Sequence, residues 1–540
     1  MTRLFPIILS TFFLMTGCEA PNETRSSEIL TKENDQIEIA ELSVRVIDED
    51  SGDSTPVRVL LTTLDNTVTP LPEAAIGVMW GYMDQATGYT RQPDGAFYVD
   101  GSFNVQLKPG IYILTLSKGN EYLSQTHQIE LEENQHYQQT YTMERWINMP
   151  ERGWYSADDH IHLRRSPREN PMILDWIAAE GLHIGVLLQM GDFWTTYFTQ
   201  YDWGADGIYK ENNRFLTSGQ EDPRTPELGH TISLGAEDFV RFRDDYYIYD
   251  QTFDRVHELG GLTGYAHQGI LFHGYRGLTL DVLRNKIDFI EILQYCASED
   301  PLQPQYYYHF LDLGIKLTAT AGSDFPWCGT RERPAKIGNA RFYTYIDEEF
   351  SYDAWRNALR AGHTFVTSGP IVELNVNGAI PGDEINIEKG TSLKISATAY
   401  GHYRQLPLES LEIVSHGNVL GVVRPNNQQQ STDQLTIEIE YPAEQGTWIA
   451  ARVRGKQGQA AHTTPVYVSV NGSGFHNPET ASNYLDLSER YLAELEIEIA
   501  NPNNSVDSHA WRFKEELEQK ISEVKGLIEE LRNHFAEDVL

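Results

Sequence analysis

Hydrophobic and polar residues alternate along two separate parts of the chain, near its start and again after residue 369. In the first part, the alternating runs are 42–47, 57–61, 103–107 and 112–116. In the second part, they are 373–377, 393–397, 435–439 and 448–453. Successive residues of a strand point to opposite faces, so this period of two is typical of a sheet with one buried face. The pattern predicts a β-sandwich over residues 39–149 and a second one over residues 369–472.

The region between these two parts has a different pattern, in which apolar runs alternate with amphipathic stretches. The apolar runs are 184–188, 262–266, 287–293 and 317–321. The amphipathic stretches are 171–180, 250–259, 303–313 and 352–361. Strands that alternate with helices predict an α/β core with a parallel sheet, either open or closed into a barrel, over residues 150–368. In such folds the functional side chains collect at the carboxyl ends of the strands.

The last part of the chain, residues 473–540, has a helical pattern from Pro478 onward. Six apolar residues in it follow one another at intervals of four and three: Leu517, Ile521, Val524, Ile528, Leu531 and Phe535. This spacing indicates a heptad seam along one side of a helix. The seam either packs on the protein's own body or contacts a second copy in a homodimer, and we favour the first interpretation.

Residues 1–17 have the pattern of a secretory signal peptide. Arg3 precedes the apolar run 4–15, which is shorter than the ~20 residues needed to span a bilayer. The run leads into Thr16-Gly17-Cys18 and resembles a bacterial lipoprotein signal with Cys18 as the lipidated residue, an ordinary signal peptide being the alternative. Residues 18–38 are polar and aperiodic, as expected of a tether. We therefore expect a protein of the bacterial cell envelope, anchored to a membrane through Cys18 and facing the periplasm or the cell surface.

The length of the chain predicts its number of domains, and its net charge argues against one class of function. At roughly 150 residues per domain, 540 residues predict about three to four domains. The net charge of −36, from 42 Lys and Arg against 78 Asp and Glu, argues against nucleic-acid binding, which needs clustered cations. Two of the three cysteines, Cys296 and Cys328, could pair in an oxidising compartment, but two thiols do not make a disulfide framework.

Six potential metal ligands stand where predicted strands begin or end. His160 and His162 follow the run 154–159, and both share one strand face with Asp158. The other strand ends carry Glu221, His230, His267 and Asp324. Four histidines and two acids match a mixed nitrogen and oxygen site for Zn, Mn or Fe. The sequence therefore predicts a divalent metal site at one edge of the sheet.

Three other residues allow more than one interpretation. His183 comes just before the run 184–188 and is either a site residue or a structural one. Glu291 lies within an apolar run, so it either points at the metal site or is neutralised by a partner. Cys296 is either a soft ligand or a small core residue, and we favour the core.

Several motifs together resemble the PHP (polymerase and histidinol phosphatase) superfamily and, within it, the CehA/McbA branch of metallohydrolases. They are the runs 154–162 and 178–191, Gly219-Gln220-Glu221 followed by Gly229-His230, Gly264-Tyr265-Ala266-His267, and the run 352–370. The resemblance extends over roughly residues 100–470. It implies an α/β fold with a PHP-type distorted seven-stranded β/α barrel, flanked by the two β-sandwich modules and followed by the helical tail.

The resemblance also implies the roles of the site residues. The ligands would be His160, His162, Glu221, His230, His267 and Asp324. Asp158 would orient an imidazole from outside the ligand set, and Glu291 would also lie in this outer layer. The chain departs from the usual D-x-H motif of the superfamily, because positions 324–326 are Asp324-Phe325-Pro326. We therefore expect one or two ions, most simply Zn, rather than three.

This site implies hydrolysis of a small-molecule substrate by metal-activated water, at a carbamate, ester or amide bond. Asp324 or His183 would move a proton to the leaving group. Neither a G-x-S-x-G elbow nor a P-loop is present in the sequence. The alternatives are a PHP-type phosphoesterase and a non-catalytic envelope lipoprotein that binds a partner and holds a structural metal.

Overall fold

A computed structural model describes residues 39–80, 87–328, 335–426, 432–501 and 509–537. The predicted signal peptide, the tether and Cys18 lie outside these residues. The first described part consists of strands. They are β1 (Ala40–Asp48), β2 (Pro56–Thr63), β3 (Val78–Trp80), β4 (Thr87–Tyr89), β5 (Phe97–Asp100), β6 (Ser102–Leu107), β7 (Gly110–Ser117), β8 (Gln125–Leu131) and β9 (His136–Met143).

Two of the sheets formed by these strands enclose one apolar core. The first sheet has the order β6-β1-β9 and the second the order β5-β2-β7-β8. The alternation in the sequence is seen in the burial, since Phe103, Val105 and Leu107 of β6 face the core and the residues between them are exposed. The hairpin of β3 and β4 packs against the next part of the chain instead, where Trp80 and Tyr89 contact the core around Trp176.

The central part alternates strands with helices. Its strands are β10 (Trp154–Ile161), β11 (Ile184–Gly191), β12 (Thr196–Tyr197), β13 (Tyr209–Glu211), β14 (Arg214–Glu221), β15 (Arg224–Thr225), β16 (Gly229–Leu234), β17 (Leu262–Tyr265), β18 (Phe289–Leu293), β19 (Thr318–Ala321), β20 (Arg341–Tyr345) and β21 (Thr364–Thr367). Its helices are α1 (Asn170–Ala179), α2 (Tyr249–Glu258), α3 (Gly274–Val282), α4 (Gln305–Asp312) and α5 (Tyr352–Ala361). The prediction of a mixed α/β protein is confirmed.

The central sheet is mixed, so the prediction of a parallel sheet is wrong in part. The pairs β10–β11, β11–β14, β17–β18 and β18–β19 are parallel. However, β16 is antiparallel to both β14 and β17, and β20 is antiparallel to β10. The chain between β14 and β16 is too short for the crossover of a dozen or more residues that a parallel pair needs. As a result, the start of β16 lies at the edge of the sheet where β14 and β17 end.

The third part is again strand-rich but continues the central sheet. Its strands are β22 (Ile371–Val376), β23 (Glu384–Ile387), β24 (Thr391–Tyr400), β25 (Leu408–Ser415), β26 (Asn418–Val423), β27 (Gln434–Ala443), β28 (Thr447–Gly455), β29 (Ala460–Thr463) and β30 (Val466–Val470). The order β22-β24-β27 makes one sheet, and β29 pairs with β21. The predicted boundary at residue 368 therefore follows a strand that is hydrogen-bonded to the next module.

Two helices, α6 (Ala481–Ala500) and α7 (Lys514–Glu537), end the described chain. Four residues of the heptad seam, Leu517, Ile521, Val524 and Ile528, are buried in the same core as the central sheet. Leu531 and Phe535 pack against that core at its rim. The seam is thus covered by the chain itself, which is the interpretation we favoured. In the described part of the chain, no helix is both long and apolar enough to cross a membrane.

Candidate metal centre

His160 and His162 occupy the end of β10 and the position just after it. Both side chains are fully buried, and their ring centres lie 4.9 Å apart. The backbone N–H of His162 donates to the carbonyl of Phe325 at 3.0 Å, which joins this strand end to the segment after β19. Gly322 makes the close approach possible, because a Cβ there would lie 2.3 Å from that of His160.

Two carboxylates reach these imidazoles from other strand ends. Oδ1 of Asp324 lies 3.4 Å from Nε2 of His160 and 3.3 Å from Nε2 of His162. Oε2 of Glu221, the last residue of β14, lies 3.5 Å from Nε2 of His162. These atoms are close enough to share one cation, and His160, His162 and Asp324 form one candidate ligand group.

His267 and His230 are the two remaining histidines of the site. We call the group of His160, His162, Glu221, His230, His267 and Asp324 the cluster. Nε2 of His267 lies 3.1 Å from Oδ2 of Asp324, and His267 forms a second candidate ligand group with His160 and Glu221. His267 and Asp324 both have left-handed backbones, with φ of 54° and 49°. Such residues cost roughly 1–3 kcal/mol each and concentrate at functional sites. His230 pairs with Oε1 of Glu221 at 2.6 Å, and it lies outside the candidate ligand groups found among the described residues.

Glu291 holds two of these histidines from behind. Its Oε1 lies 2.9 Å from Nδ1 of His160, and its Oε2 accepts the backbone N–H of His267 at 2.8 Å. Gln294 donates to Oε2 from 3.1 Å. We expected Glu291 either to point at the metal site or to be neutralised by a partner. The structure shows both, since its carboxylate lies at the site and is paired there. A carboxylate on Nδ1 leaves Nε2 of His160 free to bind a cation.

Asp158 fixes backbone rather than an imidazole. Its carboxylate accepts three backbone N–H groups, from His160 at 3.0 Å, Ser323 at 2.9 Å and Gly338 at 2.8 Å. The expected contact with a histidine ring is instead made by Glu291. Asp158 therefore joins the end of β10 to the segment after β19, which carries Asp324.

The cluster fits a metal because four of its ring nitrogens are buried without a hydrogen-bond partner. Nε2 of His160, both ring nitrogens of His162 and Nδ1 of His267 have no hydrogen-bond partner. Burying such a group without a partner costs free energy, roughly 1–3 kcal/mol. A divalent cation would bind some of these nitrogens, one from each ring, and a set of imidazoles with carboxylates suits zinc and other first-row ions. The described side chains therefore fit a metal ion whose identity they do not fix.

The pKa values of the cluster residues are shifted in different directions. Burial disfavours charge on His160, but Glu291 and Asp324 outweigh it and hold the pKa of His160 well above its ordinary value. For His162, burial dominates and lowers the pKa. Burial, aided by Arg224, lowers the pKa of His230 to about 3. Burial alone would raise the pKa of Asp324, yet His160, His162 and His267 lower it well below its usual range.

A cavity of about 330 Å³ opens onto the cluster. Glu221, His230, His267 and Asp324 line one side of it, and its apolar wall consists of Met190, Leu271, Phe272 and Trp327. Phe272 stacks on the ring of His230 with 4.0 Å between centres, and the centre of Trp327 lies 4.8 Å from that of His162. We call this space the site cavity. It leaves room for a small molecule next to the candidate ligands.

The sequence analysis allowed Cys296 and Cys328 to pair, but it missed that both reach the site cavity, and it missed Arg224. Cys296 and Cys328 form a disulfide, and each Sγ lies 3.0 Å from Oδ2 of Asp324, so Cys296 is a cavity residue rather than a core residue. Arg224 also lines the cavity, three residues after Glu221. The sequence did offer a signal for Arg224, because a cationic residue so near a candidate ligand in the chain can reach the same site. Cys328 follows Asp324 by four residues, but nothing in the local sequence places Cys296, 32 positions before Cys328, beside the same carboxylate.

His183 is not brought to the cluster. It precedes β11, which runs parallel to β10, so it lies at the opposite edge of the sheet from His160. Its Nδ1 accepts the backbone N–H of Ser156 at 3.2 Å and lies 3.0 Å from the hydroxyl oxygen of Ser156. Burial lowers the pKa of His183 well below its ordinary value, with nearby arginines adding to the effect. His183 therefore lies away from the cluster that its expected role in proton transfer requires.

Comparison with known proteins adds little to this geometry. No protein-family model and no curated protein matches the chain. One solved structure that aligns with it, an engineered protein, is 9% identical over 37% of this chain and 45% of its own, with a TM-score of 0.13. The chain thus spans less than half of that protein, and a similarity this low indicates neither a fold nor a function. The side chains of the cluster carry the functional inference.

Proposed function

We propose that this protein is a metal-dependent hydrolase of the CehA/McbA branch of the PHP superfamily, with the central sheet as a distorted seven-stranded barrel. Its substrate would be a small molecule with a carbamate, ester or amide bond. The proposal includes an envelope location with a lipid anchor at Cys18, a residue outside the described chain. One or two divalent ions, most simply zinc, would be held by His160, His162, Glu221, His267 and Asp324, with His230 beside them.

One observation carries this proposal. Imidazoles and carboxylates from the ends of β10, β14, β17 and β19 converge in one buried cluster, and several of their nitrogens lack any other partner. Ligands so distant in sequence meet only because the fold brings these strand ends together. The site cavity beside them supports a catalytic rather than a structural role, because catalytic metal sites keep an open position and structural ones are closed.

A divalent cation bound here would lower the pKa of a water molecule and polarise the bond under attack. The chain's own residues prepare the site for it. Glu291 fixes the ring of His160, and Asp158 fixes the backbone on which His160 and Ser323 lie. Phe272 and Trp327 cover the imidazoles from the cavity side and would exclude bulk water from them.

Metal analysis combined with substrate panels tests the proposal. The chain without residues 1–18 would be purified beside His160→Ala, His267→Ala and, as a matched control, His257→Ala, a partly exposed histidine that pairs with Asp288. We expect stoichiometric metal in the wild type and the control, and loss of it in the two cluster variants. Metal-free wild-type protein after metal supplementation would overturn the proposal.

The panels separate the three functional classes. Aryl carbamates, aryl esters and anilides test the proposed chemistry, and aryl phosphate monoesters test the phosphoesterase alternative. Turnover of the first group that disappears with the metal supports the hydrolase. Turnover of the phosphates alone would favour the phosphoesterase, and stoichiometric metal with no turnover on any panel would favour the non-catalytic binding protein.

A further inference from the structure

Arg224 is a cationic side chain that lines the site cavity and has no role in the hydrolysis described above. Arg224 begins β15, directly opposite His230 in the pairing of β15 with β16. Directly opposite residues of an antiparallel pair point to the same side of the sheet, so Arg224 and His230 both face the cavity. About a quarter of the Arg224 side chain is exposed, which leaves it accessible from the cavity.

The carboxylates around Arg224 have other partners. Nε of Arg224 lies 3.7 Å from Oε2 of Glu221 and makes no hydrogen bond. Glu221 already pairs with His230 at 2.6 Å and would also serve the metal. The neighbouring Asp222 pairs with Arg241 through its Oδ2. Arg224 thus lies near Glu221 without a direct hydrogen bond to it.

The backbone at this position is held in place, so the base of the Arg224 side chain has a defined position at the cavity. The backbone N–H of Arg224 donates to the hydroxyl of Tyr246 at 3.2 Å, and the hydroxyl of Thr225 lies 2.9 Å from that of Tyr249. A guanidinium presents several N–H donors in one plane, a geometry that matches the paired oxygens of a carboxylate or a phosphate.

We propose that Arg224 binds an oxyanion substituent, a carboxylate or a phosphate, on the substrate that occupies the site cavity. The inference rests on the proposed function, because it assigns a substrate class to the same site. The oxyanion would lie toward Arg224 while the bond to be cleaved lies toward Asp324 and the histidines. A carboxylate remote from the reacting bond and a phosphate group share this chemistry, and separate probes distinguish them.

Matched pairs of probes test the role of Arg224. One pair consists of two 4-nitrophenyl esters of equal chain length, the neutral valerate and the mono-ester of glutaric acid, which ends in a carboxylate. A second set of three probes is measured by binding alone, with benzoate and phenyl phosphate each compared with neutral benzamide. The variants are Arg224→Gln, Arg224→Lys and the control Arg255→Gln, which removes an exposed cation of α2 that pairs with Glu258. Metal content is measured for each.

We expect Arg224→Gln to weaken the anionic probes roughly 10- to 100-fold, the worth of a charged hydrogen bond, and to change the neutral probes less than about threefold. Arg224→Lys should keep part of the preference, because it retains the charge but loses the planar fork. Arg255→Gln should match the wild type. Selective loss for benzoate indicates a carboxylate, and selective loss for phenyl phosphate indicates a phosphate.

Equal weakening of neutral and anionic probes, or loss of metal in Arg224→Gln, would overturn the inference and make Arg224 a structural partner of Glu221. Insensitivity of all anionic probes to the substitution would overturn it too. The binding probes need no turnover, so failure of the two proposals is distinguishable. Selective binding of the anionic probes without hydrolysis would support the oxyanion site and contradict the hydrolase. Hydrolysis that does not distinguish anionic from neutral probes would support the hydrolase and contradict the oxyanion site.

Discussion

Glu291 is buried at the back of the candidate metal centre, where a lone carboxylate would be costly. The structure compensates it with Nδ1 of His160, the backbone N–H of His267 and the amide of Gln294. The same contacts fix which nitrogen of His160 faces the cluster. One residue thus links the stability of β18 to the geometry of the proposed ligands, although it is not itself one of them.

Replacing Glu291 with Gln should lower metal affinity more than it lowers fold stability. The amide keeps the shape but cannot supply the charge that supports His160, and outer-layer partners of this kind are typically worth 10- to 100-fold in affinity. Competition with a metal-indicator dye measures the affinity, and circular dichroism checks the fold. Glu258→Gln, on the exposed face of α2, is the control. Wild-type affinity in Glu291→Gln would contradict the assigned role.

Asp175, in α1, predicts a pH dependence that is independent of the metal. Burial, together with Asp100 and Glu211, raises the pKa of Asp175 to about 7. The folded protein therefore binds more protons than the unfolded chain between about pH 4 and pH 7, so this residue makes the free energy of unfolding fall as pH rises through that window. Its half-buried position reduces the effect to about 1–2 kcal/mol.

Asp175→Asn should accordingly raise the free energy of unfolding at pH 8 by about 1–2 kcal/mol and leave it nearly unchanged at pH 4. Urea denaturation at the two pH values measures the difference. Asp347→Asn, at an exposed position, serves as the control. An equal effect of Asp175→Asn at both pH values would show that packing, and not protonation, is responsible.

At the scale of elements, the disulfide connects the segment after β18 to the segment after β19. Cys296 and Cys328 have Cα atoms 4.6 Å apart and enclose α4 and β19 between them. Asp324 lies in the closed loop, next to both sulfurs. The connection therefore restrains a proposed ligand as well as the fold.

Removing the disulfide should destabilise the protein by about 2–4 kcal/mol, the usual range for a closed loop of this size. The double variant Cys296→Ser with Cys328→Ser, compared with the wild type in urea with and without a dithiol reductant, measures the change. The reductant should affect only the wild type. Equal stability of the oxidised wild type and the double variant would show that the crosslink does not restrain the native loop.

At the scale of the whole molecule, the modules share their interfaces. β29 continues the central sheet through β21, and the side chains of α6 and α7 belong to the same apolar core as β10 to β19. Polar contacts reinforce this arrangement, since Asp312 of α4 accepts hydrogen bonds from Asn477 and Thr480 before α6. The parts that look separable in the sequence are therefore connected by hydrogen bonds and a common core.

Deleting residues 473–540 should leave a protein that aggregates or unfolds. The deletion uncovers apolar surface on α3 and α4 and leaves Asp312 without several partners. Removing residues 1–38 should instead preserve the fold, because residues from Ile39 onward form a compact unit by themselves. Solubility and calorimetry of the two truncated chains check both outcomes. A soluble, cooperatively unfolding chain ending at residue 472 would contradict the prediction.

The elements and most members of the cluster follow from the order of residues alone. Period-two and helical patterns place the strands and helices, because burial of one face leaves a regular trace in the order of residues. His160, His162, Glu221, His267 and Asp324 are recognisable because their chemistry coincides with strand ends. Local order could not place His183, which shares that chemistry but lies at the opposite edge of the sheet.

Tertiary packing was needed to establish the direction of β16, the closeness of Cys296 and Cys328 to Asp324, and the position of Arg224 opposite His230. It also decided that Glu291, rather than Asp158, orients the ring of His160. Each of these depends on which strands become neighbours, and such pairings involve residues dozens of positions apart. The chemistry of a side chain is local, whereas its partners are set by the packing of the whole sheet.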